Sequence, residues 1–231
     1  MTLAVAHRGD PRRIRENTLP SISSAVHAGA DWVEVDVRVT RDGVPVLLHD
    51  DTLARLWRRR RRIGSLAHAE LERVFAGGRH QVPSLPQAIA LARECGVRLM
   101  LDLPGTVEAD AAARTVRALD AYQQVVFAGD PCALVGVRAA APGACIAMSW
   151  RSPLPPTAGL LHVVRPDWFN QYHRWLTRRI VGRWHRRGVR VCAWTVDRPA
   201  SIAALASIGV DAIVSNEIRT LRRALAPPVR P

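Results

Sequence analysis

The sequence predicts an α/β protein, a TIM-type (β/α)8 barrel with a small insertion after its second strand. Three observations predict it. Short valine-rich runs alternate with longer amphipathic segments about eight times along 231 residues, the repeat of parallel strands joined by helices. Most strand runs are nearly continuous in apolar residues, as strands covered on both faces are. No glycine-rich phosphate loop follows the first strand, which weakens the open, nucleotide-binding version of the same pattern. The length suits one barrel domain over residues 1–231, and 48% apolar residues allow a sizeable core.

The elements follow in order. LAVA (3–6) reads as a short buried strand and 17–30 as a helix ending at Gly29. WVEVDVRV (32–39) is a strand, RDG (41–43) a turn and VPVLLH (44–49) a further extended run. Residues 50–82 are mixed and basic, partly helical, and form the insertion. Helices are expected at 84–95, 107–122 and 131–141, with strands at 97–103, 124–128 and 144–150. The proline-rich 152–156 is a loop before an undefined element, and 166–170 is a short strand. An amphipathic helix over 174–188, closed by Gly188, places Leu176, Ile180 and Trp184 on one core stripe. Strands at 189–196 and 211–215 and helices at 198–209 and 217–225 complete the chain.

The formal charge is +13, and every basic residue other than histidine is arginine. A GC-rich coding bias accounts for the missing lysine, yet a basic surface still concentrates anions. The run Arg58, Arg59, Arg60, Arg61, Arg62 beside Trp57 reads either as a solvated stretch or as a weak contact for anionic lipid. No specific nucleic-acid site is expected. Cys95, Cys132, Cys145 and Cys192 have no metal or redox spacing and read as reduced, buried thiols. The N-terminal apolar stretch is too short for an export signal, so a cytoplasmic location is expected.

Chemistry in such a barrel belongs at the C-terminal strand ends. His7 and Arg8 end the first strand, and Glu34 and Asp36, two apart, share one face of the second. His49 ends the extended run that follows, Asp102 sits near the end of the next barrel strand, and Trp194 and Thr195 end the penultimate one. Two carboxylates on one buried face are costly unless compensated. Either they and Asp102 hold one hard divalent cation, Mg2+ or Ca2+, or they pair with Arg8 and Arg38. The two histidines suit an acid and a base, Arg8 suits bidentate phosphate binding, and Gly9 allows close backbone approach.

HRG with downstream ENT, then EVDVRVTRDGVPVLLHDDTLAR, resembles the glycerophosphodiester phosphodiesterase family. The resemblance is dense over residues 3–55, continues at VPSLPQAI (82–89), returns at 188–216 and is weak over 104–165. It implies metal-dependent hydrolysis of a glycerophosphodiester to an alcohol and sn-glycerol 3-phosphate. It puts His7 and His49 on the acid/base pair and Glu34, Asp36 and Asp102 on the metal ligands. Arg8 and Glu16 fall on phosphate, metal or substrate contacts, and Trp194 on a pocket aromatic. Three positions depart from the pattern: Pro104 stands where a lysine is frequent, AGD (128–130) replaces a serine-phenylalanine pair, and Arg15 replaces a proline. These departures raise an alternative, a weakened relative that binds phosphodiesters or anionic lipids without efficient turnover.

Overall fold

A computed structural model describes residues 1–75 and 81–226. The chain runs β1 (Leu3–His7), α1 (Leu19–His27), β2 (Trp32–Val39), β3 (Pro45–Leu47), α2 (Ala54–Trp57), α3 (His68–Phe75), α4 (Leu85–Cys95), β4 (Arg98–Leu103), α5 (Thr106–Ala118) and β5 (Val125–Gly129). It continues with α6 (Pro131–Ala140), β6 (Ile146–Trp150), α7 (Ala158–Val164), β7 (Trp168–Tyr172), α8 (Arg178–His185), β8 (Arg190–Trp194), α9 (Pro199–Ser207), β9 (Ala212–Ser215) and α10 (Ile218–Leu225).

Eight of these strands form a closed parallel barrel in the order β1, β2, β4, β5, β6, β7, β8, β9, with β9 bonded back to β1. The short β3 returns antiparallel along the end of β2, pairing Leu47 with Val37 and Pro45 with Val39. Strand periodicity sorts the side chains. In β2, Val33, Val35 and Val37 face the helices, while Trp32 points into the barrel. The barrel floor is filled by Trp32, Met100, Val126, Trp168, Cys192 and Val214, with Trp32 and Trp168 edge-on at 4.9 Å between ring centres. The barrel interior is therefore a packed plug, and only its upper level is left for polar groups. Among the described residues, no helix is long and apolar enough to cross a membrane.

Local sequence explains the helix starts. Thr18 caps α1 by accepting from Ser21 N, with Pro20 in the first turn. Ser84 and Gln87 form a reciprocal capping box on α4. Between β3 and α4 lie α2, a 3-10 turn at Ile63–Ser65 and α3, covering a small core of Val46, Leu48, Leu53, Leu66, Leu71 and Phe75. Residues 76–80 of the expected 50–82 insertion lie outside the described residues.

Several expectations need correction. The helix expected over 174–188 is split: His173–Trp175 form a 3-10 turn, and α8 starts only after Thr177, whose hydroxyl accepts from Ile180 N. A threonine that caps a helix start sits outside it, which the apolar stripe alone does not reveal. Leu176 and Trp184 are still buried, and Trp184 stacks on Phe169 at 4.0 Å. The undefined element after 152–156 is the helix α7, capped by Thr157. All four cysteines are free, but only Cys192 is fully buried and Cys132 is exposed.

Candidate active site

Register brings the acidic residues together. His7 lies level with Glu34 across β1 and β2, and Asp36 lies level with Asp102 across β2 and β4. Neighbouring strands are about 4.8 Å apart, so inward side chains at one level converge. Glu34, Asp36 and Asp102 each present an oxygen within 4.8 Å of the others. Burial, with Asp36 and Asp102 beside it, pushes the Glu34 carboxyl well above its usual range. Burial and Asp36 push Asp102 up to about 6. Three crowded carboxylate oxygens fit a hard divalent ion, which replaces mutual repulsion with attraction. Glu34, Asp36 and Asp102 are the residues that would hold it.

The competing pairing with arginine is realised only in part. Arg8 Nε lies 3.0 Å from Asp36 Oδ2 without hydrogen-bond alignment, while Arg8 Nη1 donates to Glu16 at 3.1 Å. The Arg8 backbone N–H donates to Glu34 Oε2 at 3.0 Å. Arg38 binds neither carboxylate. Its Nε and Nη2 clasp the His49 carbonyl at 2.9 and 2.6 Å, and its Nη1 faces Asp51 at 3.2 Å. The turn that aims Arg8 is held by sterics: Arg8 has φ 58°, Gly9 has φ 90°, and a Cβ on Gly9 would sit 2.3 Å from Ser21 Oγ.

The two histidines differ in setting. His7 Nδ1 lies 2.7 Å from Asn216 Oδ1, and Asn216 Nδ2 donates to Asp197 Oδ2 at 2.9 Å. That second bond orients the amide so that its oxygen faces His7. His7 Nε2 faces Glu34 at 3.8 Å. Burial, reinforced by Arg8, lowers the His7 pKa below its ordinary value. His49, partly exposed, lies with Nδ1 2.7 Å from Asp50 Oδ1. Hydrogen bonds from Arg55 hold the Asp50 carboxyl down to about 2.

His7, Arg8, Glu34, Asp36, His49, Asp102 and Trp194 line one pocket of about 500 Å³ at the C-terminal rim, with Pro104, Gly129, Ser149, Arg151 and Asn170. Glu16 is outside that lining and joins it through Arg8, while also accepting from Arg55 Nη2 at 2.7 Å. Trp168 and Phe169 are core residues, and Asn170 is the pocket residue of that strand. Trp57 packs on Phe75 at 4.5 Å under the Arg15 guanidinium at 4.3 Å, so its ring is not presented as an interfacial group.

Sequence reasoning missed several members of the site. Asn17 donates from Nδ2 to Asp36 Oδ2 at 2.7 Å and accepts from the Asp36 backbone at 3.1 Å. Asn17, Asp50, Arg55 and Asn216 all stand inside the quoted motifs, but an amide or a charge beside a histidine carries no signal of its partner in a single sequence. The sequence offers Arg38 only as a carboxylate partner, and its real target, a backbone carbonyl, leaves no mark in sequence.

Comparisons with known proteins identify the family and the fold. A glycerophosphodiester phosphodiesterase of Caldanaerobacter subterraneus subsp. tengcongensis is 26% identical over 246 aligned residues, covering 95% of this chain and 96% of that protein. An Oleispira antarctica phosphodiesterase, solved in complex with the product sn-glycerol-3-phosphate, superposes with a TM-score of 0.82 at 25% identity over 96% of this chain and 95% of that one. A glycerophosphodiester phosphodiesterase of Agrobacterium tumefaciens, at 23% identity, shares the fold with a TM-score of 0.83 over 96% of this chain and 100% of that one. Residues 7–220 match the Glycerophosphoryl diester phosphodiesterase family. The chain belongs to that family and is a phosphoric diester hydrolase.

Proposed function

We propose that the protein hydrolyses glycerophosphodiesters to an alcohol and sn-glycerol 3-phosphate, using one divalent cation held by Glu34, Asp36 and Asp102 and an acid/base pair of His7 and His49. The observation that carries this reading is the convergence of Glu34 and Asp36, both buried, and the half-buried Asp102 in one pocket that His7 and His49 also line. When bound, Mg2+ or Ca2+ supplies Lewis-acid charge for the phosphoryl oxygens. Arg8, placed by its backbone bond to Glu34 and its bridge to Glu16, adds a fixed positive charge on the same side.

The neighbours of the histidines divide the proton work. Because Asn216 offers oxygen to Nδ1, His7 keeps its proton there and leaves Nε2 as a free base beside Glu34. Burial favours this neutral form. His7 therefore takes a proton from the attacking water as its oxygen bonds to phosphorus and the bond to the alcohol oxygen breaks. Asp50, ionised, accepts from His49 Nδ1 and leaves its Nε2 to deliver a proton to the leaving alkoxide. A positioned proton transfer of this kind contributes about 10²–10⁴-fold in rate. Glu16, Arg55 and Asp50 form a bridged set that ties the Arg8 and His49 sides together. With the catalytic set together in one pocket, turnover is favoured over the binding-only alternative.

The test is glycerol 3-phosphate release from glycerophosphocholine, glycerophosphoglycerol and a lysophospholipid, with Mg2+, with Ca2+ and with chelator. Release that requires a divalent ion is the expected result. Binding of these compounds without any release would put the weakened-relative reading in its place.

A further inference from the structure

The pocket has a second cation whose position suits the substrate as well as Arg8 does. Among the described residues, two arginines line the pocket, Arg8 and Arg151. Arg8 is tied to Glu16 and Asp36 and offsets buried negative charge. Arg151 has no carboxylate partner among the described residues, and its guanidinium carbon lies 5.0 Å from the Trp194 ring centre. Trp194 is itself fixed by a bond from its Nε1 to the Asn170 carbonyl at 2.9 Å.

The loop that carries Arg151 is pinned at three carbonyls. Trp175 Nε1 donates to Arg151 O at 2.9 Å, Gln171 Nε2 to Ser152 O at 2.9 Å, and Trp150 Nε1 to Leu154 O at 2.7 Å. The inward parity of Ala147 and Ser149 continues to position 151. Arg151 follows β6, which stands four strands from β1 around the barrel, so it faces Arg8 across the mouth. A fixed backbone, an aromatic rest and an unpaired charge form a presented cation. Pro104, on the wall between them, brings no charge to the pocket.

We propose that Arg151 is the second phosphate-binding residue of this enzyme, its guanidinium resting on Trp194 and closing on the phosphodiester from the side opposite Arg8. The inference rests on the phosphodiesterase reading, but fails separately from it: glycerol 3-phosphate release by the unaltered protein carries the reading, and Arg151 variants test the inference.

The experiment compares Arg151→Met, Arg151→Lys and a control on the outer face of α5, Arg117→Met, with glycerophosphocholine and glycerophosphoglycerol as substrates and glycerol 3-phosphate as competing ligand. Arg151 is exposed, so thermal melts should match across all chains. A charge-assisted hydrogen bond is worth enough that Arg151→Met should raise KM, and the inhibition constant for glycerol 3-phosphate, by about 10- to 100-fold. The expected kcat change is less than about threefold, Arg151→Lys should recover part of the loss, and Arg117→Met should change neither constant. Equal effects on both substrates are expected, since both carry the same phosphate. The proposal is overturned if KM stays within about twofold of the unaltered enzyme. It is equally overturned if only one substrate is affected, because Arg151 would then read the alcohol, or if Arg117→Met has the same effect, because general surface charge would then be responsible.

Discussion

The two walls of the pocket are built in opposite ways. The wall from β1, β2 and β4 is dense and charged: Glu34 and Asp36 are 6% and 5% exposed, and each is bonded to backbone or amide groups. The wall from β5 to β8 is aromatic and sparse, with its fixed bonds on the backbone of the loop after β6 and its one cation unpaired. The first wall holds groups at set distances, which chemistry on phosphorus needs. The second leaves polar and aromatic surface open, which is how a substrate is chosen. The difference teaches that substitutions on the first wall should act on kcat and those on the second on KM.

The sharpest way to break that division is to neutralise a carboxylate. Glu34→Gln should lower turnover by about 10³-fold, since the ion provides several kcal/mol of charge stabilisation. A loss below about tenfold would move the metal elsewhere. His7→Ala and His49→Ala should each cost about 10²–10⁴-fold in kcat with little change in KM. The double variant should cost less than the product of the two, because the groups act in one proton transfer chain.

Without metal, the first wall should weaken the fold as it ionises. Asp102 titrates near 6 in the folded chain, above the unfolded value of about 3.9. The folded state then holds the proton more tightly, so stability falls as pH rises between about 4 and 6. The upper bound is about 3 kcal/mol from this group, measured by denaturant unfolding in chelator. Added Mg2+ or Ca2+ should flatten the slope, and Asp102→Asn should reduce it in the metal-free protein, leaving the part that comes from Glu34. A slope that survives Asp102→Asn and Glu34→Gln together would place the titrating group outside the cluster.

The barrel and most of this first wall are legible in the sequence, and the reason is physical. Strand periodicity places Glu34 and Asp36 on one face whatever surrounds them, and chain order places Asp102 on the adjacent barrel strand. The second wall is not legible. Arg151 and Asn170 acquire meaning only from which strands face each other and from bonds such as Trp175 Nε1 to Arg151 O. The break between the turn at His173–Trp175 and α8 was hidden for a similar reason, since a cap competes with an apolar stripe that runs through it.

Smaller effects sharpen the picture. Asn17→Ala removes both bonds that hold Asp36 and should weaken metal affinity about 10- to 100-fold while the fold survives, read by calorimetric titration. Replacing Arg59, Arg60 and Arg61, all exposed, with serine should leave turnover of a water-soluble substrate within about twofold. Binding to anionic vesicles should fall with that replacement and with salt if the run contacts lipid. No change in vesicle binding would leave it as a solvated stretch.

The most direct measurement is calorimetric titration of Mg2+ and Ca2+ into chelator-treated protein, with glycerol 3-phosphate release followed on the same samples. One ion per chain, turnover that rises in step with occupancy, and loss of both in Asp36→Asn are the expected results. Full turnover in the ion-free protein, or an ion that still binds with unchanged affinity in Asp36→Asn, would contradict the carboxylate centre.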